Sequence, residues 1–284
     1  MTTGALLEEI TQVFASKGLV AHRREALRLL ADITGAPAGT PLSHPEQRLA
    51  PDQVARARQA AARRADGVPL AYATGVAAFR FLTLSVDPRV LIPRPETEGL
   101  VEHVLTWQAS RAPGGTAVDV CTGSGCIALS LAQEGAFAGI VGTDRSHDAL
   151  AVARRNHAQV RPATPVQWMV GDLLAALAGR RVEVVVANPP YVTAAEWEGL
   201  EPGVRDHEPR EALVAGDAGM ALIARLTAEA YPLLRAGGLL AVEVDSRRAD
   251  LARRVAVAAG FGTARIEDDV FGRSRYLLAI KEQS

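Results

Sequence analysis

The stretch VDVCTGSGCIALS, residues 118–130, decides the fold of this chain. A short apolar run leads into Gly123 and Gly125, and an apolar helical pattern with Ala128 follows, so the glycines have the form G-x-G-x-x-A. A strand, a glycine turn and a helix in this order are typical of the nucleotide-binding turn of doubly wound sheets, where the backbone can approach a ligand closely. Tight packing of a helix on a strand needs the same glycines, so the turn alone is a weak signal.

Outward from this turn, strand and helix patterns alternate through the rest of the chain. Amphipathic helical patterns separate the strand-like runs TAVDV, IVGTD, VQWMV, VEVVVA, LLAVEV and YLLAI. Such alternation predicts a parallel, doubly wound sheet with helices on both faces, the Rossmann-like class of α/β fold. We assign residues 99–284 to this domain.

The residues before this domain are predicted to form a small helical domain and a linker. Residues 1–74 contain LLEEITQVFASKGL and REALRLLADITG, with apolar positions at helical spacing, and PDQVARARQAAARRADG, a helix that begins after Leu49-Ala50. In residues 75–98, apolar and polar positions alternate around Asp87-Pro88. This alternation predicts two short strands joined by a turn, a hairpin that bridges the two domains.

The composition excludes several classes of function. The 284 residues are 48% apolar and carry a formal net charge of −1, so no global basic field would hold DNA. The N-terminus has acidic residues where a secretory signal has basic ones, and no stretch approaches the ~18 apolar residues of a membrane span. We expect a cytoplasmic protein with no stable nucleic-acid partner and no membrane partner.

Two cysteines, Cys121 and Cys126, lie five residues apart in the glycine turn. This spacing suits neither a disulfide framework nor a metal site. We expect reduced thiols packed beside a ligand, and no metal.

Two carboxylates follow the glycine turn at the ends of later strands. Asp144 ends the run IVGTD, 21 residues beyond Gly123, where a carboxylate can accept hydrogen bonds from both hydroxyls of a ribose. Asp172, after VQWMV, can accept a hydrogen bond from an adenine amino group. The pattern predicts a nucleoside ligand, but an NAD enzyme would show the same turn and the same ribose acid.

The segment VVVANPPYV, residues 184–192, indicates the chemistry. Asn188 follows a buried strand, and ligands of doubly wound sheets lie at the carboxyl ends of strands. Because Pro189 and Pro190 lack backbone donors, the carbonyls of Asn188 and Pro189 are expected to be free to accept hydrogen bonds. An amide oxygen and a carbonyl can bind an NH₂ group, and Tyr191 offers a flat face for a planar amide or base. The matching electrophile is the methyl group of a sulfonium, although the tetrapeptide would also suit a rigid turn.

Together these motifs resemble the release factor glutamine methyltransferases, the HemK/PrmC family. The likeness runs from about residue 20 to residue 280 and is carried by RRADGVPLAYATG, VLIPRPETE, DVCTGSGCIALSLA, GTDRSHDALAVARRN, ANPPYV, HEPREAL and DDVFGRSRYLLA. Asn-Pro-Pro-Tyr is shared with amino-methylating DNA enzymes, whereas LIPRPETE together with it is much more specific. The family transfers a methyl group from S-adenosylmethionine to the side-chain amide nitrogen of the glutamine in the Gly-Gly-Gln loop of peptide chain release factors. The resemblance therefore implies this cofactor and this partner.

The resemblance also implies roles for individual positions. Receipt of the glutamine and catalysis are implied for Asn188, Pro189, Pro190 and Tyr191. Cofactor binding is implied for Asp119, Cys121, Thr122, Gly123, Ser124, Gly125, Asp144, Asp172, Leu173 and Asn188. The N-terminal bundle would help to hold the release factor. In RPETE, Thr97 is either the cap of a helix with Glu98 favourable to its dipole, or part of a segment whose Arg94 lines the crevice.

The chain departs from the family pattern at three places. EVDSRRADL follows Leu240 where members commonly have Glu-Ile-Gly-x-x-Gln, His207 stands where an aromatic residue is frequent, and Cys121 replaces a usual glycine. These departures leave open a different acceptor amide, on another protein or a small molecule. DNA adenine methylation and a non-enzymatic nucleotide-sensing module are further alternatives. For His207, a surface or packing role is favoured over a role as a base.

Overall fold

The computed structural model describes residues 1–215 and 220–282 and divides the chain into two compact units. The first unit comprises Met1–Val76 and Glu201–His207, and the second comprises Ala77–Leu200 and Glu208–Ser284. Residues 201–207, which the sequence places in the catalytic domain, therefore cluster with the N-terminal unit. No helix within the described ranges has the length and apolar character needed to cross a membrane.

The first unit is a helical bundle. Its helices are α1 (Thr3–Ser16), α2 (His22–Thr34), α3 (Thr40–Ser43), α4 (Pro51–Ala65) and α5 (Leu70–Thr74). The apolar positions at helical spacing in α1, α2 and α4 are buried against one another, as the sequence predicts. The start of α4 at Pro51 is also confirmed, whereas α3 and α5 are too short for their periodicity to be recognised.

The remaining elements follow in chain order. They are β1 (Val76–Phe79), β2 (Leu82–Ser85), α6 (Pro95–Ala109), β3 (Thr116–Val120), α7 (Cys126–Glu134), β4 (Gly139–Asp144), α8 (His147–Val160), β5 (Val166–Val170), β6 (Val182–Ala187), α9 (Ala194–Trp197), α10 (Pro202–Arg205), α11 (Ala221–Leu233), β7 (Leu234–Glu243), α12 (Ala249–Ala258), β8 (Thr263–Asp268) and β9 (Ser274–Ile280). Of these, α10 belongs to the first unit.

The main sheet has the strand order β5-β4-β3-β6-β7-β9-β8 within the described residues. Strands β3 to β7 pair in parallel, but β9 runs antiparallel to both of its neighbours, which corrects the expectation of a wholly parallel sheet. A short turn joins β8 to β9, and strands joined in this way must run in opposite directions. The edge strand β8 was missed because four of the six residues in its sequence, TARIED, are polar and none of the six is buried.

The run Val184–Ala187 in β6 is apolar at every position, without the alternating polar residues of a half-buried strand. Val184 and Val186 pack in the apolar cluster that includes residues of α6 and α7. Val185 and Ala187 pack in a second cluster, with residues of α11 and α12. Because β6 lies inside the sheet with helices on both faces, both of its faces require apolar side chains.

The hairpin before α6 differs from the sequence prediction in its position. The turn between β1 and β2 lies at Arg80 and Phe81, and residues after Ser85 form no strand up to the start of α6. Arg80 has φ = 50°, and its guanidinium donates to Glu134 Oε2 at 2.6 Å and to Glu102 Oε2 at 2.9 Å. These contacts stabilise a turn before β2, whereas the sequence places the turn after it, at Asp87-Pro88.

Candidate active site

A cavity of about 310 Å³ lies at the carboxyl ends of the parallel strands, within the second unit. Seven of the site residues predicted from the sequence line this cavity: Cys121, Gly123, Asp144, Asp172, Leu173, Asn188 and Pro190. The glycine turn, the two strand-end carboxylates and the asparagine amide therefore share one pocket. This arrangement follows from the strand order, because β4, β3 and β6 are neighbours and end on the same edge of the sheet.

Asp144 is held against the glycine turn by backbone amides. The Gly123 amide donates to Asp144 Oδ2 at 2.9 Å, and the Ser146 amide donates to Oδ1 at 2.9 Å. Burial raises the pKa of Asp144, while these amides act in the opposite direction. A Cβ added at Gly123 would come no closer than 4.0 Å to the Cys121 carbonyl oxygen, so there is open space beside this glycine.

Four other residues selected from the turn, Asp119, Thr122, Ser124 and Gly125, are not on the cavity wall. Asp119 is fully buried, and its Oδ2 accepts from Thr122 Oγ1 at 2.5 Å and from the Ala128 amide at 3.1 Å. The expected direct contact of these four residues with a cofactor stays a prediction. These residues lie behind the wall, where the Asp119 carboxylate ties the turn to the first residues of α7.

Gly125 serves packing. It has φ = 82°, and a Cβ added there would stand 2.9 Å from Trp168 Cη2 and 3.3 Å from Ala153 Cβ. The two glycines of the motif therefore have different roles: Gly125 allows close packing against Trp168 and Ala153, whereas Gly123 borders open space.

The wall beyond β5 is formed by Gly171, Asp172 and Leu173. Arg225 Nη2 donates to Asp172 Oδ2 at 2.8 Å, and the Asp172 side chain is more than half exposed. Leu173 is buried with φ = 51°, and Thr143 Oγ1 donates to its carbonyl oxygen at 3.2 Å. This wall presents an apolar side chain next to a polar group, as a planar heterocycle requires.

Asn188 belongs to a hydrogen-bonded chain that the sequence did not reveal. Its Nδ2 donates to Thr97 Oγ1 at 3.0 Å, and Thr97 Oγ1 donates to Glu243 Oε2 at 2.7 Å. Tyr191 Oη donates to the other oxygen of Glu243 at 3.3 Å. Burial raises the pKa of Glu243, whereas the hydrogen bonds from Thr97 and Tyr191 and the charge of Arg275 lower it.

These contacts correct one of the predictions made from the sequence. Thr97 is not a helix cap: α6 begins at Pro95, its N-cap Arg94 makes no side-chain capping bond, and the Thr97 hydroxyl is directed to Glu243. Pro189 and Tyr191 are not among the cavity-lining residues, so their contact with an acceptor stays a prediction.

Arg94 does not line the crevice either. Its Nη2 donates to Glu208 Oε1 at 2.5 Å, and the Ile92 amide donates to Glu208 Oε2 at 3.2 Å. This buried carboxylate connects two segments that reach the cavity wall, 89–91 and 211–215. Sequence reasoning missed both segments, although the opposite charges in VLIPRPETE and HEPREAL were a signal.

The atypical EVDSRR segment forms an ionic cluster with Glu196 of α9, in the chain that follows β6. Arg247 and Arg248 both contact Glu196 Oε1, at 2.8 and 2.7 Å, and both also contact Asp245. Glu196 in turn accepts from the Thr193 amide at 2.9 Å at the start of α9. The segment therefore anchors the chain that follows Asn-Pro-Pro-Tyr.

Cys121 lines the cavity, but neither cysteine thiol is activated, and His207 is not among the cavity-lining residues. Both cysteines are free, and burial raises the pKa of the Cys126 thiol to about 12 and that of Cys121 as well. His207 belongs to the segment that clusters with the first unit and does not line the cavity. Across residues 1–215 and 220–282, no group of three or more His, Cys, Asp or Glu side chains is arranged to hold a metal ion.

The strand order, the glycine turn and the shared cavity define a class I methyltransferase fold. Residues 97–199 match the family described as methyltransferase small domain, and residues 5–75 match the PrmC N-terminal domain. The chain belongs to the family of release factor glutamine methyltransferases.

Curated relatives carry this assignment, and a solved structure shares the fold. The release factor glutamine methyltransferase of Moorella thermoacetica is 39% identical over 284 residues, which cover 100% of both chains. That of Streptomyces coelicolor is 37% identical over 281 residues, covering 98% of this chain and 97% of the relative. The hMettl16 catalytic domain, solved with a MAT2A 3′UTR hairpin, shares the fold alone: the TM-score is 0.58 at 15% identity, covering 84% of this chain and 86% of that one.

Proposed function

We propose that this methyltransferase binds S-adenosylmethionine in the cavity and methylates the side-chain amide nitrogen of the glutamine in the Gly-Gly-Gln loop of peptide chain release factors. One observation carries the proposal: Asn188 lines the same cavity as Asp144 and Gly123. An acceptor amide bound by Asn188 would thus be next to a nucleoside bound by Asp144. The full-length relatives named for this activity support the choice of acceptor.

The residues present fit the cofactor. Asp144 keeps lone pairs that can accept from ribose hydroxyls, because each of its oxygens takes one backbone amide. The open space at Gly123 accommodates the close approach of a ligand to the backbone. Leu173 and Asp172 supply an apolar contact and an acceptor for the base. When bound, the cofactor supplies an electrophilic methyl group on a sulfonium.

The protein's contribution to catalysis is positioning. Asn188 Nδ2 is engaged by Thr97, and no donor among the described residues reaches Asn188 Oδ1. This oxygen can accept a hydrogen bond from the acceptor NH₂ group, and the Pro189 carbonyl is the expected second acceptor. Two such bonds orient the weakly nucleophilic nitrogen and raise its electron density.

Asn188→Ala tests the proposal. The loss of the acceptor oxygen should reduce kcat/KM for methyl transfer by about 10²- to 10³-fold, the usual effect of removing one positioned polar group. Cofactor affinity, measured by calorimetry, should stay close to wild type. The matched control is Asp144→Ala, which should lose cofactor affinity instead. Transfer should be measured with labelled S-adenosylmethionine and release factors of the host.

Two results would contradict the proposal. Full activity of Asn188→Ala would show that this amide does not hold the acceptor. The absence of label in the Gly-Gly-Gln peptide of wild-type reactions would indicate another acceptor amide, on a different protein or a small molecule. A release factor as substrate also implies a cytoplasmic location, which stays a prediction.

A further inference from the structure

When Glu243 is ionised, the hydrogen bonds from Asn188 through Thr97 to Glu243 have only one consistent direction. Glu243 is 1% exposed at the end of β7, and as a carboxylate it can only accept hydrogen bonds. Thr97 Oγ1 has a single hydrogen, which it gives to Glu243 Oε2 at 2.7 Å. Toward Asn188, at 3.0 Å, Thr97 can therefore only accept, so the group facing it must be the NH₂ of the amide.

We propose that Thr97, directed by Glu243, is a positioning residue that fixes which end of the Asn188 amide is presented to the acceptor. The amide oxygen is thereby kept away from Thr97 and left to accept from the acceptor NH₂. A reversed amide would place Oδ1 against a hydroxyl that has no hydrogen to give, and would aim NH₂ at NH₂. The inference rests on the proposed function for its catalytic meaning, but the hydrogen-bond direction can be tested without any substrate.

Tyr191 supplies a second donor to Glu243 and makes the arrangement more robust. Its Oη bonds to Oε1 at 3.3 Å, so the two oxygens of Glu243 have separate hydroxyl partners. Among the described residues, Tyr191 makes no hydrogen bond to Thr97 or Asn188, and its removal should leave the direction of the Thr97 hydroxyl unchanged. This makes Tyr191→Phe a useful comparison for a spectroscopic test.

The Asn188 amide can be observed selectively by NMR, because the only asparagines in the sequence are Asn156 and Asn188. Labelling with [¹⁵N]asparagine on the side chain gives two NH₂ signals in a heteronuclear NMR spectrum. Asn156 is an internal reference: it is fully buried, and its Nδ2 donates to the carbonyls of Ser85 at 3.0 Å and Ser124 at 2.9 Å. Asn188→Ala assigns the other signal.

The decisive variant is Thr97→Val, which has nearly the same shape but no hydroxyl. We expect its Asn188 NH₂ protons to shift upfield and to exchange faster with water, while the Asn156 signal stays in place. Thr97→Ser restores a hydroxyl and should restore the Asn188 signal. Tyr191→Phe should leave it unchanged. Glu243→Met should move the Asn188 signal as well, because the Thr97 hydroxyl would then be free to donate to Oδ1.

The kinetic test uses the same proteins with a release factor. Thr97→Val should lower kcat by about 10- to 100-fold, the effect of losing one buried hydrogen bond that orients a reacting group. Cofactor affinity measured by calorimetry should be retained, and Thr97→Ser should recover most of the rate. Thr97→Ala provides a second variant without the hydroxyl if Thr97→Val is poorly folded.

The outcomes separate this inference from the proposed function. An Asn188 signal that is indifferent to Thr97→Val overturns the inference, whatever the acceptor is. A wild-type enzyme that methylates release factors while Thr97→Val keeps its full kcat overturns the inference and leaves the proposed function intact. A wild-type enzyme inactive on release factors, with an Asn188 signal that responds as expected, overturns only the choice of acceptor.

Discussion

Asp119 is a fully buried side chain that supports the glycine turn without lining the cavity. Its Oδ2 bonds to Thr122 and to the Ala128 amide, but Oδ1 has no hydrogen-bond partner among the described residues. Burial without full pairing disfavours the charged form and raises the pKa of Asp119 from 3.8 to about 7. The carboxyl group thus stabilises the turn best when it carries a proton.

Asp119→Asn should change the pH dependence of stability. Because the folded-state pKa is raised, the stabilising contribution of Asp119 is complete below pH 3.8 and is lost as the pH rises through about 7. At about 1.4 kcal/mol per pH unit, the free energy of unfolding of wild type relative to Asp119→Asn should fall by at most about 4 kcal/mol over this window. Urea unfolding of both proteins at a series of pH values measures this difference. Parallel stability curves would contradict the prediction.

The junction of β3 and α7 is the element on which the cavity depends. Gly123 and Gly125 both have positive φ, 55° and 82°, so an added side chain is strained at either position. Their surroundings differ, since Gly125 faces Trp168 and Ala153 while Gly123 faces open space at the cavity. One glycine serves the packing of the helix on the sheet, and the other serves the ligand.

Replacing each glycine with alanine should distinguish the packing role of Gly125 from the ligand-binding role of Gly123. Gly125→Ala forces its Cβ to within 2.9 Å of Trp168, so we expect a loss of about 2–3 kcal/mol in the free energy of unfolding from strain and overpacking together. Gly123→Ala carries the backbone strain alone, about 1 kcal/mol, but its Cβ enters the cavity and should weaken cofactor binding. Chemical denaturation and calorimetry on both variants give the two quantities. Equal losses of stability, with equal cofactor affinities, would refute this division.

At the scale of the whole molecule, positive and negative charges are balanced, and many arginines are paired with carboxylates. The chain has 31 basic and 32 acidic residues. Several arginines contact carboxylates close in sequence, as in Arg89 with Asp87 and Arg247 with Asp245. Such pairs cancel at the distance of a docking partner, so the protein should present no extended basic surface to a polyanion.

We therefore expect no salt-dependent binding to duplex DNA. Affinity for DNA depends on the phosphates that a basic surface neutralises, and it is strongest at low salt. A gel shift at low ionic strength should show no complex, and labelled cofactor should transfer no methyl to DNA under conditions in which a release factor is methylated. A shift that weakens steeply with added salt would restore DNA adenine methylation as a candidate.

The sequence by itself determined the class of fold, the N-terminal helices and most strands of the sheet. These depend on local patterns: helical spacing of apolar residues, buried runs such as Val184–Ala187, and the glycine turn. The same patterns identified Asp144 and Asn188, because residues that follow parallel strands must meet at one edge of the sheet. The structure then brought both onto one cavity wall.

Only the tertiary structure decided which side chains act through others. Thr97 bonds to Asn188, which lies 91 positions away in the sequence, and to Glu243, which lies 146 positions away. No local sequence pattern encodes such contacts. The direction of β9 and the pairing of Arg94 with Glu208 also depend on partners that are distant in sequence. Local propensity selects strands and helices, but hydrogen-bond partners between elements are fixed only when the whole chain packs.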